Sequence, residues 1–155
     1  MEIGSQTSTE HHHEIIEQLN SLIELDYDAV AAYQASIERL DSAAFRQQLT
    51  EFKADHDRHI RELGQVVTAL GGRPQSSGDA KKILTKGKVV LAGLAGDEAI
   101  LKAMKTNEDE TNSKYEKALD RVGPVASPQI RAVLERGLDD ERRHRAWLIE
   151  TIDRL

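Results

Sequence analysis

Apolar residues recur along this chain at intervals of three and four, the period that gathers them on one face of an α-helix. Four such stripes emerge. The first runs from about residue 12 to 40 and carries Leu19, Leu22, Asp26, Ala29, Val30, Tyr33, Ile37 and Leu40. The second runs from about 42 to 70 with Leu49, Phe52, His56, His59, Leu63, Val66, Val67 and Leu70. It stops at the run Gly71, Gly72, Arg73, Pro74, where glycine supplies a left-handed cap and proline forbids continuation. The third opens at Gly96, Asp97 and Glu98, with Asp97 or Gly96 as cap. It carries Leu101, Met104, Glu108, Thr111, Tyr115, Leu119 and Val122 as far as Gly123 and Pro124. The fourth begins near Pro128, a residue favoured in a first helical turn. It presents Ile130, Leu134, Gly137, Glu141, His144, Leu148, Thr151 and Leu155.

These stripes predict an all-α fold. A short turn around Asp41 to Ala44 joins the first two helices and residues 123–128 join the last two, so each pair is an antiparallel hairpin. Between them lies a crossover of about residues 71–96, long enough to run the length of the bundle. The expected domain is a four-helix bundle over 12–155, preceded by a flexible N-terminus at 1–11. At about 1.5 Å per residue the helices are roughly 40 Å long. Every stripe has polar residues near its middle, which places a polar layer deep in the bundle. A structural bundle would fill that layer with leucine or alanine.

Composition narrows the chemistry. With 155 residues the chain can bury a core without disulfides. Cysteine is absent, which excludes thiol catalysis and zinc–thiolate sites and fits a reducing compartment. The net charge of -6, with 31% charged residues, argues against DNA or an anionic membrane as partner. Lysines 81, 82, 86 and 88 of the crossover form at most a small anion patch, without interleaved aromatics for nucleic acid. The opening residues lack a basic run followed by an apolar core, so neither a signal peptide nor a transmembrane helix is expected and the cytoplasm is the expected compartment. The run Glu10 to Glu14, with three histidines, reads as a solvated helix start, metal capture at the surface being the other reading.

The two hairpins repeat one another at the polar layer. Residues 55–63 line up with 140–148, pairing Asp55 with Asp140, His56 with Glu141, Arg58 with Arg143, His59 with His144 and Leu63 with Leu148. Upstream, Asp26 is followed seven residues later by Tyr33, and Glu108 seven residues later by Tyr115. Each half thus supplies a carboxylate from one helix and a two-residue pair of ligand type from the next. Burying six such groups unpaired would cost several kcal/mol, on the order of the penalty for any unpaired buried polar set, so something must satisfy them. Asp26 follows the stripe through Leu22 and Tyr33, whereas its neighbour Asp28 falls with Glu24 on a wetter face.

On these residues the chain resembles the ferritin-like di-iron carboxylate superfamily, and within it small bacterial ferritin-like proteins of uncharacterised role. In that superfamily one Glu from each of two helices and a Glu-x-x-His pair from each of the others hold two iron or manganese ions. Glu141 and His144 match the pair, Glu108 matches the single carboxylate, and His59 matches the second histidine. The resemblance implies a metal site of Asp26, His56, His59, Glu108, Glu141 and His144, iron as the metal with zinc or manganese as alternatives, and oxygen or peroxide as partner. It implies oxidation of ferrous iron, in defence against oxidative stress or in iron handling, by a monomer or homodimer.

Two positions depart from the pattern. Asp26 stands where Glu is usual and is a methylene shorter. His56 stands where the second pair has its Glu, which removes one negative charge from a set that would balance two divalent ions. The site can recover neutrality with a hydroxide or hold one ion weakly, and the half built from Glu108, Glu141 and His144 is expected to be the tighter. Imidazole favours iron, zinc, copper or nickel over manganese. Metal-bound histidines usually donate their other N–H to a carboxylate. By resemblance Asp55 would orient His144 and Asp140 would orient His59, with Tyr33 and Tyr115 as outer hydrogen-bond donors or oxidisable neighbours. Arg58 and Arg143 read as rim residues and Trp147 as packing at a helix or subunit interface. Two other functions stand beside the ferroxidase reading: a metal-free structural or stress-response interaction bundle, and a di-iron oxidase of an organic substrate. The latter needs an apolar cavity, for which Gly137, Ala103 and Thr111 are the small residues that could open space.

Overall fold

The computed structural model describes residues 2–77, 91 and 93–155. The four predicted helices are α1 (Glu2–Arg39), α2 (Ala43–Ala69), α3 (Asp97–Val122) and α4 (Pro128–Asp153). Helix α1 extends to Glu2, so the tract expected as a flexible N-terminus continues the helix; it contains no proline and its only glycine, Gly4, does not break the run. The lysines at 81, 82, 86 and 88, and most of the crossover, lie outside the described residues. Among the described residues no helix is long and apolar enough to cross a membrane.

Helix ends are fixed by side chains and glycines where the sequence put them. The Ser42 hydroxyl accepts from the amide of Phe45 at 3.2 Å, and Ser127 does the same for Ile130 at 3.3 Å. Gly71, at φ 86°, ends α2 in the left-handed region, with the Gly72 amide bonded to the Val67 carbonyl at 2.9 Å. Of the two caps expected for α3, Gly96 holds the position at φ 88°, and no side chain caps there. Asp97 instead reaches across to the α1–α2 turn, accepting from the amides of Asp41 at 2.8 Å and Ser42 at 3.0 Å. That contact ties the start of the second hairpin to the bend of the first.

Helix α1 packs on α2 and α3, and α4 packs on α3 and α2. The core falls into two apolar clusters. One gathers Leu19, Ile23, Leu63, Val67, Val122 and Leu134; the other gathers Leu40, Leu49, Phe52, Leu101, Met104 and Leu148. Each fully buried side chain of this size stabilises the fold by about 1.5–3 kcal/mol. Trp147 belongs to the second cluster, standing edge-on to Phe45 and Phe52, so it joins α4 to α2. Between the clusters lies the polar layer, at the depth the stripes predicted.

Candidate metal centre

All six residues of the predicted set are buried and meet in this layer: Asp26 from α1, His56 and His59 from α2, Glu108 from α3, Glu141 and His144 from α4. Spacing explains the convergence, since residues three apart on α2 and on α4 share a face and project into the same layer. Asp28 does not join them. It lines a surface groove of about 520 Å³ between α1 and α3 that contains none of the six.

The histidines are held from outside. His144 donates through Nε2 to Asp55 at 2.8 Å, and His59 donates through Nε2 to Asp140 at 2.9 Å. Each aspartate lies on the opposite helix, the crosswise pairing the resemblance implied. With the ring proton fixed on Nε2, Nδ1 is the nitrogen turned inward. Arg143 bonds Asp55 at 2.8 Å, and Arg58 bonds Asp140; the two rim arginines cover these pairs. The tyrosines also cross over. Tyr33 of α1 donates to Glu108 of α3, and Tyr115 of α3 donates to Asp26 of α1 at 2.6 Å.

Sequence reasoning missed a brace between α3 and α4. Thr111 places its hydroxyl 2.9 Å from both Glu108 Oε2 and Glu141 Oε2. The Asn112 amide donates to the carbonyls of Glu108 at 2.7 Å and Glu141 at 3.0 Å. A threonine and an asparagine, both poor helix formers, following an inward glutamate were the available signal. The cavity that the organic-substrate alternative would need does not open at Gly137: a Cβ there would lie 2.7 Å from the Tyr115 ring, so the aromatic side chain occupies that space. Thr111 is engaged by carboxylates, and Ala103 packs against the second apolar cluster.

Inside the layer two groups of four residues each bring one ligand-type atom apiece within 4.8 Å of the others: Asp26, His56, His59 and Glu141, and His56, Glu108, Glu141 and His144. Two buried atoms at this junction make no hydrogen bond, Glu141 Oε1 and His144 Nδ1. The former lies 3.4 Å from His56 Nδ1 and 3.3 Å from His59 Nδ1; the latter lies 3.4 Å from Glu108 Oε1. Orphaned donors and acceptors at this depth are costly, and a carboxylate oxygen beside an imidazole nitrogen is a donor set for a divalent transition metal. The residues therefore fit a metal ion.

Electrostatics give the same reading. Burial works against the charged form of each histidine, but facing carboxylates outweigh it. His56 is raised well above its usual value, His144 is raised, and His59 reaches about 11 through Asp140, Asp26 and Glu141. Burial would raise Asp26 and Glu108, yet the histidines hold both below the usual carboxylate range. Glu141 goes up to about 7, because its burial is only partly offset by His56 and Glu108 adds repulsion. Positive charge is thus stabilised throughout the layer, whether protons or a metal supply it.

The all-helical bundle has a ferritin-like fold. The fold matches, over 92% of this chain and 97% of the other, the crystal structure of ferritin like, diiron-carboxylate proteins from Bacillus anthracis str. Ames, with a TM-score of 0.72 and 18% identity. The chain belongs to the family described as Domain of unknown function (DUF2383), matched over residues 14–121. This range includes Asp26, His56, His59 and Glu108 and stops short of Glu141 and His144. A Bacillus subtilis relative, uncharacterized protein YhjR, is 23% identical over 87% of this chain and 84% of its own length. A 3-demethoxyubiquinol 3-hydroxylase from Cupriavidus metallidurans is 30% identical over 75% of this chain, and the chain spans only 56% of that protein's length.

Proposed function

We propose that the protein binds transition metal in the layer between its two apolar clusters, and that the metal is iron handled in its ferrous state and oxidised there by oxygen or peroxide. The observation that carries this reading is the pair of orphaned atoms, Glu141 Oε1 and His144 Nδ1, where two four-donor groups meet. Iron held there would supply one-electron redox chemistry toward the oxidant. The chain's own groups do the rest. Asp26, Glu108 and Glu141 neutralise charge, and Asp55 and Asp140 keep the ring protons of His144 and His59 on the outward nitrogens. Tyr33 and Tyr115 hold two of the carboxylates in place, while the flanking clusters exclude bulk water.

A second reading, oxidation of an organic substrate, draws on the hydroxylase relative. The Tyr115 ring over Gly137 works against it, because it fills the place where a substrate would lie beside the layer. The metal-free bundle is the remaining reading. Elemental analysis of protein purified without chelators, with anaerobic Fe(II) titration and thermal melting on the same sample, separates the three. Free metal at about 100 times its dissociation constant stabilises a fold by about 2.7 kcal/mol. For a chain of this length that is about 5–10 °C in Tm. Uptake, a rise of that size and oxygen consumption on aeration are expected. Absence of uptake and of any Tm shift would leave a structural bundle, and uptake with oxygen consumption only when an organic reductant is added would favour the second reading.

A further inference from the structure

We infer that His56 serves only one of the two metal positions, so that the layer holds a single tightly bound ion among His56, Glu108, Glu141 and His144 and a much weaker second position between Asp26, His59 and Glu141. The inference rests on the metal-binding reading above and specifies its stoichiometry. His56 is a member of both four-residue groups, and its two ring nitrogens face different carboxylates. Its Nδ1 lies 2.8 Å from Asp26 Oδ1, and its Nε2 lies 3.3 Å from Glu108 Oε1. A carboxylate at this place would offer lone pairs to both sides. A neutral imidazole has one lone pair and one N–H, so one side receives a ligand and the other receives a hydrogen bond.

The geometry also decides which side is which. His59 and His144 each have an aspartate outside the layer to take the ring proton. His56 is fully buried and both its nitrogens face carboxylates of the layer, so its proton stays inside. A histidine that holds a metal is neutral, and the shorter contact, to Asp26, would then keep the N–H on Nδ1 and leave the lone pair on Nε2, which faces Glu108. Asp26 is then engaged on both oxygens, by His56 and by the Tyr115 hydroxyl. The Nδ1 of His59 has Asp26 Oδ1 at 3.3 Å, and the Nδ1 of His144, which makes no hydrogen bond, has Glu108 Oε1 at 3.4 Å. Glu108 is engaged on both oxygens as well, by Tyr33 and Thr111, so what separates the two positions is His56, whose lone pair serves the one beside Glu108 and whose N–H serves the one beside Asp26. Charge alone does not choose, since three carboxylates against one divalent ion leave one negative charge and against two leave one positive charge.

The test is anaerobic titration of the full-length protein with Co(II), followed by visible absorption, with elemental analysis after dialysis. One equivalent per chain retained through dialysis is expected, with a second event weaker by about 10- to 100-fold, the scale on which loss of a supporting contact lowers metal affinity. His144→Ala should abolish the tight event and His59→Ala should lower only the weak one. His56→Glu should bring the two events to matched affinity. Circular dichroism checks that each variant is helical, and if His56→Glu does not fold, the wild-type stoichiometry and the two alanine variants still decide. Two equivalents of matched affinity in the wild type would overturn the inference and leave metal binding intact, as would loss of the tight event in His59→Ala with retention in His144→Ala. No Co(II), Zn(II) or Fe(II) uptake by the wild type would overturn both.

Discussion

The two hairpins are built on one plan around the polar layer and differ at identifiable positions within it. In each, a tyrosine reaches the carboxylate of the other hairpin, a histidine bonds an aspartate of the other hairpin, and an arginine covers that aspartate. Where the α1–α2 hairpin has Phe52, the α3–α4 hairpin has Gly137. The Phe52 ring stacks on His144 with centroids 4.2 Å apart, whereas the space at Gly137 is filled by Tyr115. Where α3 has Thr111 and Asn112 bracing Glu108 and Glu141, α1 has Ala29 and Val30 at the same offset from Asp26. The repeated positions build a symmetric frame. The differing ones make the half around Glu108 the more polar and more strongly braced, which is where a tight metal position is expected.

The largest break in this frame is Phe52→Ala. The side chain is buried and forms the wall against His144, Tyr33 and Trp147. Its removal should cost about 3–5 kcal/mol by urea denaturation. A cost below about 1 kcal/mol would mean that the aromatic wall does not support the layer. Next come Tyr33→Phe and Tyr115→Phe, each of which leaves a buried carboxylate short of one donor. About 1.5–3 kcal/mol is expected for each. If the two hairpins are equivalent at this point, the two costs agree to within about 0.5 kcal/mol, the usual limit of additivity for independent sites. A clear excess at Tyr115 would show that Asp26 depends on its tyrosine more than Glu108 does, because Thr111 also donates to Glu108.

The fold was legible because its signals are local. The apolar stripes, Gly71 with Pro74, and Pro128 each act within a turn or two of chain, and the structure realises each of them. The convergence of the six residues was legible for a different reason: the repeat between 55–63 and 140–148 shows that similar residue types recur at the same depth in both hairpins. What the sequence hid depends on helix-to-helix geometry. Thr111 reads as a small inward residue until α4 brings Glu141 beside it. Gly137 reads as open space until α3 lays Tyr115 across it. The direction of each nitrogen of His56 is set by three helices at once, and no spacing rule along α2 reports it. The extension of α1 to Glu2 went unread because the apolar stripe begins later than the helix does.

Gly137→Ala tests the largest difference between the hairpins. A Cβ at 2.7 Å from the ring must displace Tyr115, and overpacking of this kind costs about 1–3 kcal/mol. Higher helix propensity of alanine returns up to about 1 kcal/mol, so a net loss of about 1–2 kcal/mol is expected in urea denaturation. Because the Tyr115 hydroxyl tethers the ring to Asp26, the loss should be smaller in a Tyr115→Phe background, where the ring can yield. An equal loss in both backgrounds would place the strain in the backbone of α4 instead.

The smallest effect is expected where the hairpins are most alike. Arg143 is 54% exposed and Arg58 is 32% exposed, and exposed ion pairs contribute about 0–1 kcal/mol. Both arginines bond aspartates that the buried histidines also hold, so removing either cation leaves Asp55 or Asp140 with its histidine. Arg58→Ala should cost slightly more than Arg143→Ala, both under about 1 kcal/mol, and both costs should shrink further in high salt because exposed charges are screened. Metal affinity gives the sharper reading. If the aspartates alone orient His59 and His144, neither arginine variant changes the affinity of the tight position. A fall of 10-fold or more, the scale expected when a contact supporting a ligand is lost, would mean that the arginines hold the aspartates in line, and that the rim of the layer belongs to the site.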